Sequence, residues 1–247
     1  PELGGDYVAT LLLNQDGSTL YAGGGFLQVG NAVRINVAAI DTETGLANSW
    51  NPSTELGSLI YDLALSPDGS KVYMGGSFLT AGGQNRNHIA AIDAKTGIAT
   101  GWDPNANETV YSIALNTDGS KIYVGGDFTE IGGQTRNYIA ALDAVTGIAT
   151  PWNPSANDEV YDIAINFDGS IVYAGGEFTN IGSRNRNYLA ALRAQTGRAT
   201  TWNPDLNDEV ITIAFNPIDS RLFVGGEFLE LAMVRLKLQL GLFRLNL

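Results

Sequence analysis

The chain has 247 residues, 14 basic and 26 acidic side chains and a formal net charge of −12. With a sequence pI near 4.4, it lacks the positive field that a nucleic acid or an anionic membrane surface requires. It has no cysteine and one histidine, His88, which excludes disulfides, thiolate nucleophiles, iron–sulfur clusters and multi-histidine metal sites.

No apolar run reaches the roughly 20 residues of a membrane helix, so no membrane insertion is expected. The opening Pro1-Glu2-Leu3 carries no initiator Met and predicts a piece cut from a longer chain. The acidic, Lys-poor, Gly- and Asn-rich composition leans towards an extracellular or cell-surface setting.

Taken in chain order, the sequence is a repeat with a period of about 50 residues. An Asp-Gly-Ser turn stands at Asp16, Asp68, Asp118 and Asp168, and degrades to Ile218-Asp219-Ser220 in the last unit. Next comes an aromatic residue at Tyr21, Tyr73, Tyr123, Tyr173 and Phe223, followed by a Gly-Gly pair and then by Phe26, Phe78, Phe128, Phe178 and Phe228. Thr-Gly follows at Thr44, Thr96, Thr146 and Thr196, and Trp-Asn/Asp-Pro at Trp50, Trp102, Trp152 and Trp202. The units run over about 7–56, 57–108, 109–158, 159–208 and 209–247.

The third unit shows how one module reads. Val110 to Leu115 is a short apolar strand, turned by Asp118-Gly119-Ser120 into Lys121-Ile122-Tyr123-Val124. Gly suits that turn because it takes a positive φ without steric cost. A loop of small and polar residues then runs to Asn137, before a third strand from Tyr138 to Asp143. A Thr146-Gly147 turn leads to a fourth strand from Ile148 to Trp152, stopped by Pro154. No unit has helical periodicity. Four antiparallel strands repeated five times predict an all-β fold, a five-bladed β-propeller with four strands per blade. After Phe228 the pattern is lost, and the alternation of Arg235, Lys237 and Gln239 with Leu236, Leu238 and Leu240 predicts the last two strands of blade five.

Tyr-Val-Gly-Gly-Asp-Phe-Thr at 123–129, Ile-Gly-Gly-Gln-Thr-Arg-Asn at 131–137 and Ile-Ala-Ala-Leu-Asp-Ala-Val-Thr-Gly at 139–147 resemble the bacterial β-propeller repeats of unknown function, the delta-60 type. The order of Gly-Gly, Asp-x-x-Thr-Gly and Trp also looks like the kelch blade. The resemblance covers residues 7 to about 228. It implies a propeller found mostly in large secreted or surface proteins, and no catalytic residue or cofactor.

The unit-to-unit differences supply the candidate site residues. The position after Gly-Gly holds Gly25, Ser77, Asp127, Glu177 and Glu227, and nine residues on stand Arg34, Arg86, Arg136 and Arg186. Pairing each Arg with the acid of the next unit leaves the fewest orphan charges, so Arg86–Asp127, Arg136–Glu177 and Arg186–Glu227 are predicted as an inter-blade latch. The competing reading makes Asp127, Glu177 and Glu227 ligand-binding carboxylates. Trp50, Trp102, Trp152 and Trp202 are inter-blade packing anchors or, alternatively, sugar-stacking platforms. His88 occupies a place filled elsewhere by Asn36, Tyr138 and Tyr188, a set that shares no proton-transfer chemistry.

The start of strand one varies as Thr10, Asp62, Ser112, Asp162 and Thr212. Asp62 and Asp162 are the two acids that a glycan hydrolase or lyase would place near a central channel. The expectation is a non-catalytic binding or structural module that takes a carbohydrate by analogy with five-bladed lectins of the tachylectin type. A protein–protein scaffold is the first alternative, and an enzyme using Asp62 and Asp162 the second.

Overall fold

The computed structural model describes residues 7–229. All of its regular structure is β, in antiparallel pairs. Four sheets of three strands follow one another along the chain. The first joins Tyr7–Leu13, Thr19–Gly25 and Val37–Asp41, and the second Ile60–Leu65, Lys71–Gly76 and Ile89–Asp93. The third joins Val110–Leu115, Lys121–Gly126 and Ile139–Asp143, and the fourth Val160–Ile165, Ile171–Gly176 and Leu189–Arg193. Val210–Asn216 and Arg221–Gly226 form a two-stranded fifth. The further strands expected after Phe228 lie almost wholly outside the described residues.

Two features of the unit differ from the sequence reading. The fourth strand shrinks to one bridge, Ile40 to Ala47, Ile92 to Ala99, Leu142 to Ala149 and Leu192 to Ala199. Pairing stops because the next carbonyl is already taken: Thr100, Thr150 and Thr200 each accept from an Arg of their own unit. The loop after the Gly-Gly pair is itself a small hairpin, Glu130–Ile131 against Gln134–Thr135 in unit three. It turns on Gly132 and Gly133, both at positive φ.

Neighbouring sheets pack in chain order, first strand beside first strand. Third strands such as Ile139–Asp143 are buried over four consecutive residues, as a strand covered on both faces should be. The seams are mixed cores: Tyr123, Ile139 and Trp152 pack with Val160, Ile163, Val172 and Phe178 of the next unit. The first glycine of each pair makes this approach possible, and the second lets the chain of its own unit come close. A Cβ on Gly125 would lie 2.7 Å from Val160 Cγ1, and one on Gly126 would strike the Thr109 carbonyl oxygen.

Candidate functional site

At the mouth of the first strands, tyrosines form a row. Tyr61, Tyr111 and Tyr161 fall where each first strand bulges, between Ile60 and Asp62, Val110 and Ser112, and Val160 and Asp162. The extra residue of a bulge leaves the ladder and is re-aimed, so the rings meet across the seams instead of entering them. Tyr61 and Tyr111 are edge-to-face with centroids 5.2 Å apart, and Tyr111 and Tyr161 with centroids 5.6 Å apart. Each ring is half-buried.

Carboxylates frame this row. The Tyr161 hydroxyl donates to Glu177 Oε1, and Tyr111 is hydrogen-bonded to Glu159. Burial first, then the neighbouring acids, push both phenols well above their usual range. The acids respond in the same direction. Burial and the charges of Glu108 and Asp158 raise Asp127; burial, Asp127 and Glu177 raise Glu159; burial, Glu177 and Glu227 raise Glu209. The predicted acids Asp127, Glu177 and Glu227 therefore share one electrostatic cluster with Glu159 and Glu209. The tyrosines, Glu159 and Glu209 were missed in the sequence. The signal was their common spacing, hidden because Tyr inside a strand reads as core.

Behind the row, a hydrogen-bonded belt ties the five units together. Thr10 Oγ1 donates to Asp62 at 3.4 Å, and Asp62 accepts the Leu63 and Ile113 N–H groups at 2.8 and 2.7 Å. Ser112 Oγ donates to Asp162 at 2.9 Å. Asp162 also accepts the Ile163 and Ile213 N–H groups, both at 2.7 Å, and the Thr212 hydroxyl at 3.2 Å. Each aspartate thus satisfies an N–H in the next sheet that the bulge would leave unpaired. Burial, helped by the charge of Asp162, lifts the Asp62 carboxyl to about 7 against the pull of its donors. Burial raises Asp162 as well.

The predicted latch is corrected. Arg86, Arg136 and Arg186 pair with none of Asp127, Glu177 and Glu227. Their Nη2 groups reach the carbonyls of Thr100, Thr150 and Thr200 at 2.6, 2.7 and 2.6 Å, and Nη1 reaches the carbonyls of Asn85, Thr135 and Asn185. Each guanidinium ties its own hairpin to the remnant of its own fourth strand. A carbonyl satisfies it without the cost of desolvating a carboxylate. Arg86 has an acid close by, Asp103 at 3.5 Å, in the same unit.

The sugar-platform reading of the tryptophans meets a packing obstacle. Trp50, Trp102 and Trp152 are buried, and their indole N–H groups donate at 3.0 Å to the carbonyls of Asp93, Asp143 and Arg193 in the following unit. Each stands edge-on to a tyrosine of its own unit, Tyr21, Tyr73 and Tyr123. Trp202, half-buried, does the same with Tyr173. No face of the first three is open to a ligand. His88 has φ 63°, as Asn36, Tyr138 and Tyr188 have 64°, 64° and 63°. Backbone shape is what this position shares. Burial lowers the His88 pKa. Among the described residues no group of three or more His, Cys, Asp or Glu side chains is placed to hold a metal.

The family described as "Domain of unknown function (DUF5122) beta-propeller" matches residues 120–144, the middle of unit three. No curated protein matches the chain. Among solved structures, hydrazine synthase of Kuenenia stuttgartiensis is similar, with a TM-score of 0.59 and 16% identity over 88% of this chain and 54% of that one. The chain thus spans about half the length of that relative, and the likeness is one of fold. Together with the successive antiparallel sheets, these matches define a β-propeller-like domain.

Proposed function

We propose that this domain is a non-catalytic binding module whose ligand seats on the tyrosine row, and that the ligand is carbohydrate. The observation that carries this is the row Tyr61–Tyr111–Tyr161 with Asp127, Glu159, Glu177 and Glu209 around it. Half-exposed rings offer apolar faces and edges to sugar C–H groups, and carboxylates accept from sugar hydroxyls. Repetition places similar contacts side by side, so a polymeric ligand gains by avidity. The reading takes the sheets as blades of a five-bladed propeller in a secreted or surface protein.

Asp62 and Asp162 fit this reading as parts of the belt, because their bonds go to the backbone and hydroxyls of adjoining units. A screen of neutral glycans against the purified domain, repeated with Tyr111→Ala, tests it. Binding that is lost in the variant supports it; no binding to any glycan by the parent rejects it.

A protein scaffold is the second reading, and one observation favours it. The outer turns expose Leu46, Ile98 and Ile148 at equivalent places, 67%, 58% and 58% accessible.

A further inference from the structure

Three of the places where unit four departs from its siblings carry an arginine that the siblings lack. Arg184 stands where units two and three have Gln84 and Gln134. Arg193 stands where units one to three have Asp41, Asp93 and Asp143. Arg198 stands where they have Leu46, Ile98 and Ile148. The fold brings these three together. With Gly182, Ser183, Ala199, Thr200 and Thr201 they line an open cavity of about 300 Å³.

The substitution at 193 costs the fold something. In units one to three the aspartate caps the Thr-Gly turn: Asp93 accepts the Thr96 N–H at 2.7 Å and its hydroxyl at 2.8 Å, and Asp41 and Asp143 do likewise. Arg193 offers no acceptor on its side chain, and the Thr196 N–H falls back on the Arg193 carbonyl at 3.2 Å. A local rule broken with no structural return marks a functional position.

None of the three arginines is in an ion pair among the described residues. The ion pairs of the described residues are Arg86–Asp103 and Arg221–Asp219, and neither involves this cavity. Behind the wall, the buried Arg186 donates to the Thr200 carbonyl. Its pKa is lowered by burial and then by the charge of Arg184, against the opposing charge of Asp205. Ser183, at φ 64°, follows Gly182 at φ 61°. Units two and three make the same turn with Gly82-Gly83 and Gly132-Gly133, so what unit four adds there is the Ser183 hydroxyl.

We propose that this cavity is an anion site that takes a small phosphate or sulfate monoester, its tetrahedral oxyanion held by Arg184, Arg193 and Arg198. Guanidinium groups match such oxyanions with paired N–H donors, and the hydroxyls of Ser183, Thr200 and Thr201 add neutral donors. The volume sits at the small end of ligand pockets, which suits a sugar-sized body. In a chain of net charge −12, three unpaired arginines at one spot make a local reversal of field. The site is independent of the tyrosine row and stands or falls without it.

The test is calorimetric titration at low ionic strength with glucose 6-phosphate, glucose 6-sulfate, inorganic phosphate and inorganic sulfate, with glucose as control. The parent protein should bind the two esters and not glucose, with affinity that falls as salt is added. The relative affinity of the two esters, and of the free anions, tells which source of the oxyanion the cavity prefers. Arg193→Asp restores the residue of the other units and should recover the turn cap. It should therefore keep or raise the thermal midpoint while weakening ester binding by about tenfold or more. R184Q and R198I, also taken from sibling units, should each weaken it by a smaller factor. No ester binding by the parent, or equal binding by a well-folded R193D, overturns the proposal.

Discussion

The aspartates at the two ends of the first sheets make an instructive pair of regions. At the Asp-Gly-Ser turns, Asp68 accepts from the Ser66 and Ser70 hydroxyls and the Ser70 N–H, and these donors draw its pKa down to about 2. Asp16, Asp118 and Asp168 are lowered for the same reason, the Ser two residues on. At the inner bulges, Asp62 has donors of the same kind, yet its carboxyl rises to about 7. The donors are similar; the water is not. Exposed turn carboxylates keep their solvation and gain hydrogen bonds, whereas belt carboxylates lose solvation and face each other's charge. The same residue therefore closes a hairpin at one edge and joins neighbouring units at the other.

The largest test of that contrast is mechanical. Trp102 locks the second seam, with its indole N–H on Asp143 and its ring against Tyr73. Trp102→Ala should cost about 3–5 kcal/mol in urea unfolding, the range for a buried large aromatic. Loss of under about 1 kcal/mol would show that the seam does not depend on it.

Next is the belt itself. A carboxyl whose folded pKa is raised binds more protons folded than unfolded, so its ionisation opposes folding. The contribution is complete below the unfolded value near 4 and is lost as pH climbs through about 7. Stability should fall between about pH 4 and about 7, and Asp62→Asn, which keeps an acceptor for the Ile113 N–H, should flatten that slope. At pH 8 the variant should be more stable by on the order of 1–3 kcal/mol, discounted for partial solvent access. An unchanged pH profile would mean that Asp62 ionises as freely as a turn aspartate.

The smallest effect belongs to the outer edge. Asp93→Ala removes the cap on Thr96 and should cost about 0.5–1 kcal/mol in thermal or urea unfolding. Because the Asp93 pKa is lowered, its stabilisation is present above the ordinary carboxylate range and is lost as pH falls below it. The variant should therefore differ from the parent at neutral pH and converge with it in acid.

Much of this architecture was legible in the sequence, since four markers in constant order set the unit length and turn chemistry set the hairpins. Spacing placed Trp50 and its counterparts as packing anchors between successive units. The arginine partners were not legible, because counting charges cannot tell a carboxylate in the next unit from a carbonyl fourteen residues on. The hairpin after Gly-Gly was read as loop because its strands are two residues long. The tyrosine row depends on a bulge, which shifts one residue out of the alternation that sequence reading relies on. The three-arginine cavity shows only when units are compared position by position and then folded.

The central claim divides the aromatic residues by role: tryptophans hold the seams, and the bulge tyrosines meet the ligand. Glycan binding measured side by side for Tyr111→Ala and Trp102→Phe tests this most directly. The account predicts that the first variant folds and loses binding, and that the second, though less stable, binds as the parent does. Binding retained by Tyr111→Ala and lost by a folded Trp102→Phe would contradict it.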